Sequence, residues 1–277
     1  MESQGNPFGT QIARGDWVRS LEVPVLEEGG ECDVVYWVGC LTTFDEEKQR
    51  IAVDLISILR QCEVDFALLG KGESCCGDPA RVCGDENLFQ TVAKSQVAAL
   101  KKRTFRRILV SCPHCYNVLK NEYPQFGGAF DVVHHSQFLR DLIQAGRLRP
   151  GGPVDVPTVY HDPCYLGRYQ KIFDAPRQVL HATSGSQFVD LEKCREESFC
   201  CGGGGGHFWM DTKEGERINA MRIKQVKQAG AKQVVTSCPY CLHMLRDATK
   251  AMNLEKEIDV VDLVRRVRDQ SSTDATP

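Results

Sequence analysis

Five cysteines recur in the same order and at nearly the same spacing in both halves of this 277-residue chain. No other feature limits the fold as strongly. The pairs CPHC (Cys112 to Cys115) and CPYC (Cys238 to Cys241) lie 126 residues apart, inside matching flanks, RRILVSCPHCYNVLKNEY against AKQVVTSCPYCLHMLRDA. Upstream, SCCGD (Ser74 to Asp78) answers FCCGG (Phe199 to Gly203) at an offset of 125, and VYWVGC, ending at Cys40, answers VYHDPC, ending at Cys164, at 124. Between Cys40 and Cys75 lie 34 residues, and between Cys164 and Cys200 lie 35; the following gaps to Cys112 and Cys238 are 35 and 36. The chain therefore reads as two copies of one domain, residues 32–150 and 151–277, joined at the Pro/Gly-rich LRPGGPVDVP (Leu148 to Pro157) and preceded by a linker-like extension over residues 1–31.

Each copy alternates strand and helix. In the first, DVVYWVG, DFALLG, RRILVS and DVVHH are short strands of the buried type. Between them, Glu46 to Cys62 carries Ile51, Leu55, Ile58 and Leu59 on one helical face, and Glu86 to Arg103 is a helix with Leu88, Val92, Val97 and Leu100 as its apolar positions. Tyr116 to Glu122 starts another helix and Ser136 to Ala145 closes the unit; the second copy runs likewise down to DVVDLVRRVRD. The pattern predicts an α/β fold of two tandem, homologous, Rossmann-like units with parallel sheets, related by a pseudo-twofold axis.

This reading gives the cysteines a geometry. Cys40 and Cys164 end first strands, the Cys-Cys pairs follow second strands, and the CxxC pairs begin where third strands end. All five cysteines of a copy then gather at the strand edge where open parallel sheets bind ligands. Each CxxC also opens a helix, whose N-terminal N–H groups favour thiolate.

Three chemistries compete for these residues. The N-terminus MESQGNPFGTQIARGDW has no apolar core and is not read as a secretory signal, so a cytoplasmic chain is expected, in a compartment where disulfides rarely persist. Structural zinc takes four thiolates, and each copy offers five. Iron–sulfur ligation uses several irons and suits thiolates converging from three loops. The run GGGGG (Gly202 to Gly206) lets the backbone come close to such a group, while no GK[ST] or GxGxxG marks it as a phosphate loop. A net charge of −3 gives no basic excess for nucleic acid, and no apolar run reaches the ~20 residues of a membrane helix.

The doubled pattern C-x(34–35)-CC-x(35–36)-CxxC resembles the cysteine-rich CCG domains of the heterodisulfide reductases and their relatives. These include a fused form of the heterodisulfide reductase protein, the iron–sulfur subunits of glycolate and lactate oxidation systems, and complexes joining electron-transferring flavoprotein to menaquinone. The resemblance spans Val34 to Asp269. It implies two [4Fe-4S] clusters of the non-cubane type. Cys40, Cys75, Cys76, Cys112 and Cys115 would hold the first, and Cys164, Cys200, Cys201, Cys238 and Cys241 the second. MESQGNPFG looks like the linker that follows a ferredoxin-like domain in longer relatives, yet no CxxCxxCxxxCP run is present.

Among the remaining residues, Cys32, Cys62, Cys83 and Cys194 are read as buried or surface thiols without function, and His134 and His135 as hydrogen-bonded at a strand end, with a cluster or proton role as the alternative. His161, Asp162 and Asp78 are read as hydrogen-bonding partners around the clusters, Phe208 and Trp209 as a wall against water, and His207 either as a proton donor to a substrate thiolate or as a residue that orders the glycine loop. The functional expectation is an iron–sulfur oxidoreductase subunit that reduces a disulfide, with both clusters lining one cleft. The alternatives are a relay between a flavoprotein and menaquinone, and a zinc-stabilised interaction module. Expected partners are a ferredoxin-domain protein, a flavoprotein and a membrane quinone-reducing subunit, through which the chain would sit at the membrane's inner face.

Overall fold

A computed structural model describes residues 1, 5–11, 14, 16–18, 21–150, 156–184, 187–210 and 217–271. Residues 151–155 of the expected linker lie outside the described residues. The chain divides into two compact units, Met1–His135 and Ser136–Pro277.

The first unit holds four parallel strands, β1 (Glu31–Trp37), β2 (Phe66–Leu68), β3 (Thr104–Val110) and β4 (Val132–His134), in the order β2-β1-β3-β4. Val35 pairs with Ala67 on one side and Ile108 on the other, and Leu109 pairs with Val133. In the second unit β5 (Thr158–His161), β6 (Phe188–Val189), β7 (Gln233–Thr236) and β8 (Asp259–Asp262) take the order β6-β5-β7-β8, again all parallel. The repeat seen in the cysteines is thus a repeat of topology. In each sheet the chain leaves the first strand to one side and returns on its other side. Such a switch point opens a crevice at the carboxyl ends of the two central strands.

The helices are α1 (Cys40–Phe44), α2 (Glu46–Gln61), α3 (Asp78–Val82), α4 (Glu86–Lys101), α5 (Pro113–Asn117), α6 (His135–Gln144), α7 (Asp174–Ser184), α8 (Ile218–Gln228), α9 (Pro239–Ala251) and α10 (Leu263–Ser271). Helical cover on both faces explains why Val34, Val35, Tyr36 and Trp37 of β1 are all fully buried instead of alternating. Asp45 caps α2 by accepting from the Glu47 and Lys48 N–H groups, and Ile51, Leu55, Ile58 and Leu59 form its buried face. Among the described residues no helix is long and apolar enough to cross a membrane.

Two local expectations shift. The buried stripe of α4 is Phe89, Ala93, Gln96, Val97 and Leu100; Leu88 and Val92 are only half-buried. Phe89 takes the core position because the Gly77 backbone lies on its ring, where a Cβ would come within 2.8 Å. The helix expected at the first CxxC does open there, at Pro113, whose fixed φ suits the first helical position, but it does not run regularly on to Glu122. It then loosens into a π turn (Val118–Glu122) and a 3-10 turn (Tyr123–Phe126), because Pro124 has no N–H to continue the ladder.

Candidate metal centres

The first set of five cysteines is assembled from three loops at the carboxyl ends of β1, β2 and β3. Cys40 is the first residue of α1, Cys75 and Cys76 precede α3, and Cys112 caps α5, which carries Cys115 in its first turn. Cys40 and Cys75 Sγ are 3.9 Å apart. Cys75 also contacts Cys76, Cys76 contacts Cys115, and Cys115 contacts Cys112. All five are buried. Gly39 makes this possible: it turns the strand end with φ +81°, and a Cβ there would lie 3.4 Å from Cys115 Sγ.

The second set repeats the contact string in the same order. Cys164 meets Cys200, Cys200 meets Cys201, Cys201 meets Cys241 with 3.4 Å between sulfurs, and Cys241 meets Cys238 at the cap of α9. Gly202, at φ +84°, turns its N–H onto Cys200 Sγ at 3.2 Å. This set is less enclosed: Cys201, Cys238 and Cys241 are buried, while Cys164 and Cys200 are half-buried.

The thiols act on one another. Cys40, Cys115 and Cys241 are pushed well up, first by sharing a proton with a neighbouring sulfur and then by burial. One thiol in each set moves the other way. Cys76 falls to about 7 because Cys115 and then Cys75 donate to it, and Cys200 is pulled down by the Cys164 and Cys201 thiols. Hydrogen bonds among the thiols thus favour the thiolate form at Cys76 and at Cys200, and ionising several neighbouring thiols together needs a cation to offset the repulsion. None of the fourteen cysteines is joined in a disulfide. Five soft donors in one contact string exceed the four of a closed tetrahedral zinc site and match a group of several metal ions.

Charged side chains brace both sets. Glu73 is buried beside Cys75, accepts from the Val38 and Gly39 N–H groups at 3.0 and 2.9 Å, and pairs with Arg14 Nη1 at 2.7 Å. Burial pushes its carboxyl up, with Arg14 opposing. Gly5 O also accepts from Cys75 N at 2.8 Å, so residues of the expected linker-like extension are bound to the first thiol loop. Asp78 Oδ2 contacts His114 Nδ1 at 2.8 Å. In the second unit Asp162 takes Arg177 through Nη1 and Nη2 at 2.7 and 2.8 Å and also accepts from Arg195 N at 2.9 Å. His161 is buried and accepts at Nδ1 from Arg222 Nε at 3.2 Å. Arg14, Arg177 and Arg222 went unnoticed in the sequence because their partners lie 15 to 61 positions away, and Glu73, two residues before Cys75, because it reads as ordinary loop charge.

His207 lies exposed in the 3-10 turn His207–Trp209 after the glycine run. Its neighbour Phe208 packs on Tyr240 of CPYC and on His243, with ring centroids 4.9 Å apart in both cases, whereas Trp209 is exposed. His134 and His135 are fully buried with rings 4.3 Å apart. Cys62 is buried, Cys32 and Cys194 are half-buried, and Cys83 is exposed.

The family model for the CCG cysteine-rich domain matches residues 34–120 and 158–246, so the chain belongs to the CCG domain family and carries two copies of the domain. Among particular relatives, a probable iron-sulfur-binding oxidoreductase, FadF, of Bacillus subtilis (strain 168) is 39% identical over 272 residues, covering 95% of this chain and 39% of that protein. The EtfAB:quinone oxidoreductase of Syntrophomonas wolfei is 38% identical over 276 residues, covering 95% and 38%. One of the proteins that make up the dihydromethanophenazine:CoB–CoM heterodisulfide reductase of Methanosarcina barkeri (strain Fusaro) is 31% identical over 250 residues, covering 88% and 60%. The chain thus spans about two fifths of the length of the first two.

Proposed function

We propose that the chain is an iron–sulfur oxidoreductase subunit with two centres, each held by one five-cysteine set. Cys40, Cys75, Cys76, Cys112 and Cys115 hold the first; Cys164, Cys200, Cys201, Cys238 and Cys241 hold the second. The observation that carries this reading is the identical contact string of five thiols in both units. Two four-iron clusters of the non-cubane type are the proposed cofactors, supplying one-electron chemistry.

The proposed reaction is disulfide reduction, in which two electrons and two protons convert a disulfide into two thiols. Cys164 and Cys200 are only half-buried, which favours access at the second unit. Tyr169, Trp209, Met210 and Ile218 are exposed apolar residues on segments beside that set, since Tyr169 N donates to Cys164 O and a Cβ on Gly202 would lie 3.1 Å from Ile218. Exposed apolar groups of this kind suit docking of an electron-transfer partner. His207 is the proposed proton donor to a departing thiolate, on a turn tied to the CPYC helix through Phe208.

A second reading, a relay from a flavoprotein to a menaquinone-reducing membrane subunit, is favoured by the likeness to the EtfAB:quinone oxidoreductase. The two readings are separated by supplying the reduced protein with a heterodisulfide or, in the other arm, the oxidised protein with reduced electron-transferring flavoprotein. Disulfide-dependent reoxidation that His207→Gln slows supports the first reading. Reduction by the flavoprotein with no response to any disulfide supports the second. A protein that binds zinc stoichiometrically and no iron is the interaction module, and both redox readings fail.

A further inference from the structure

Resting on the iron–sulfur reading, we propose that His161 and Arg222 are a positioning pair for the second centre. His161 donates an Nε2–H to sulfur, and Arg222 fixes that tautomer and supplies a buried counter-charge. One ring nitrogen of His161 lies with the Cys201 and Cys241 sulfurs, all within 4.8 Å of one another. A histidine in that place would ordinarily be taken for a metal ligand. Its other contact decides against this. Arg222 Nε donates to His161 Nδ1 at 3.2 Å. A guanidinium only donates and stays charged, so Nδ1 is the acceptor and the ring proton sits on Nε2. With Nδ1 engaged and Nε2 protonated, the ring has no lone pair left for a metal, and Nε2–H is the group it can turn to the neighbouring sulfurs.

Arg222 is fully buried, and among the described residues none of its hydrogen bonds goes to a carboxylate. Nη1 donates to Lys193 O at 3.0 Å and to Gln225 Oε1 at 2.8 Å, and Nη2 is buried with no hydrogen-bond partner among the described residues. Asp162 is near enough to favour its charge, as are the Cys194 and Cys241 thiols, but both Asp162 oxygens are held by Arg177. A buried cation without its own anion is unfavourable unless the surroundings supply negative charge. Five thiolates around Fe–S metal supply it.

The test is an anaerobic redox titration of the full iron-loaded chain, followed by electron paramagnetic resonance, with nitrogen couplings read in the same samples. His161→Phe should keep its iron and make the second centre about tenfold harder to reduce, about 59 mV lower for one electron, leaving the first centre unmoved. His161→Gln, which keeps a side-chain N–H, should recover most of the shift, and Arg222→Gln should move the potential in the same direction as His161→Phe. Any nitrogen coupling from His161 should be weak. A directly coordinated nitrogen, iron loss in both His161 variants, or an unchanged potential in His161→Phe would overturn the pair while leaving the cluster reading intact. A wild-type chain that takes up no iron would overturn both.

Discussion

In the first unit the carboxylate that braces the thiols rises from the Cys-Cys loop: Glu73 reaches back to the N–H groups of Val38 and Gly39, just before Cys40. In the second it descends from the strand loop: Asp162, two residues before Cys164, reaches across to Arg195 N ahead of Cys200. Both clamps join the same two loops, and both recruit an arginine, Arg14 from the N-terminal segment in one case and Arg177 from α7 in the other. Duplication preserved the sulfur donors and their contact order. It did not preserve the charges that hold them, nor the degree of enclosure. On the proposed iron–sulfur reading, two centres with matching thiol sets and different surroundings would differ in potential and in access, because hydrogen bonds, net charge and exposure tune such groups.

The sharpest way to break this comparison is to remove one donor set at a time. Cys76→Ala and Cys201→Ala should each abolish one centre and leave the other, so that roughly half of the iron remains in either variant. Complete iron loss in either variant would mean that the units do not load independently. Next comes access. Ferricyanide should bleach the second centre roughly tenfold faster than the first, because only the second set has half-buried sulfurs; equal rates measured by stopped-flow absorbance would remove the distinction.

The clamps come third. Glu73→Gln leaves Arg14 without its buried partner and should cost roughly 3 kcal/mol, lowering iron retention in the first unit alone. Asp162→Asn should do the same for the second unit, and denaturant titration with iron analysis reads both. The smallest expected effect is one the units share. Burial pushes His135 down to about 3, and burial followed by the Arg222 charge does the same to His161. Each ring is neutral when folded and protonates near pH 6.5 when unfolded. Each therefore favours the fold fully above about pH 6.5, and this contribution is lost as pH falls towards about 3. His135→Gln should flatten the fall in denaturation midpoint between pH 6.5 and 5 by up to one proton's worth, about 1.4 kcal/mol per pH unit.

Much of this was legible because strand order and cysteine position are both local signals. The strands that deliver Cys40, Cys112, Cys164 and Cys238 are short buried runs, and the two sheets have the parallel order that such runs imply. Gly39 and Gly202 stand where the chain must turn onto sulfur. The clamps were illegible for the opposite reason. Glu73 looks like loop charge, Arg14 lies in a segment with no periodicity, and Arg222 sits on a helix whose apolar residues are spread around it and mark no clear buried face. Their roles arise from tertiary placement, and no spacing announces it. The stripe of α4 failed by one position because Phe89 answers to Gly77 across the packing, which helical periodicity alone does not contain.

The measurement closest to the central claim is the metal and acid-labile sulfide content of the anaerobically purified chain, taken together with the two single-set variants. The account predicts about eight irons with matching sulfide in the wild type, and about four in Cys76→Ala and in Cys201→Ala. Stoichiometric zinc, no sulfide and an unchanged fold would contradict it.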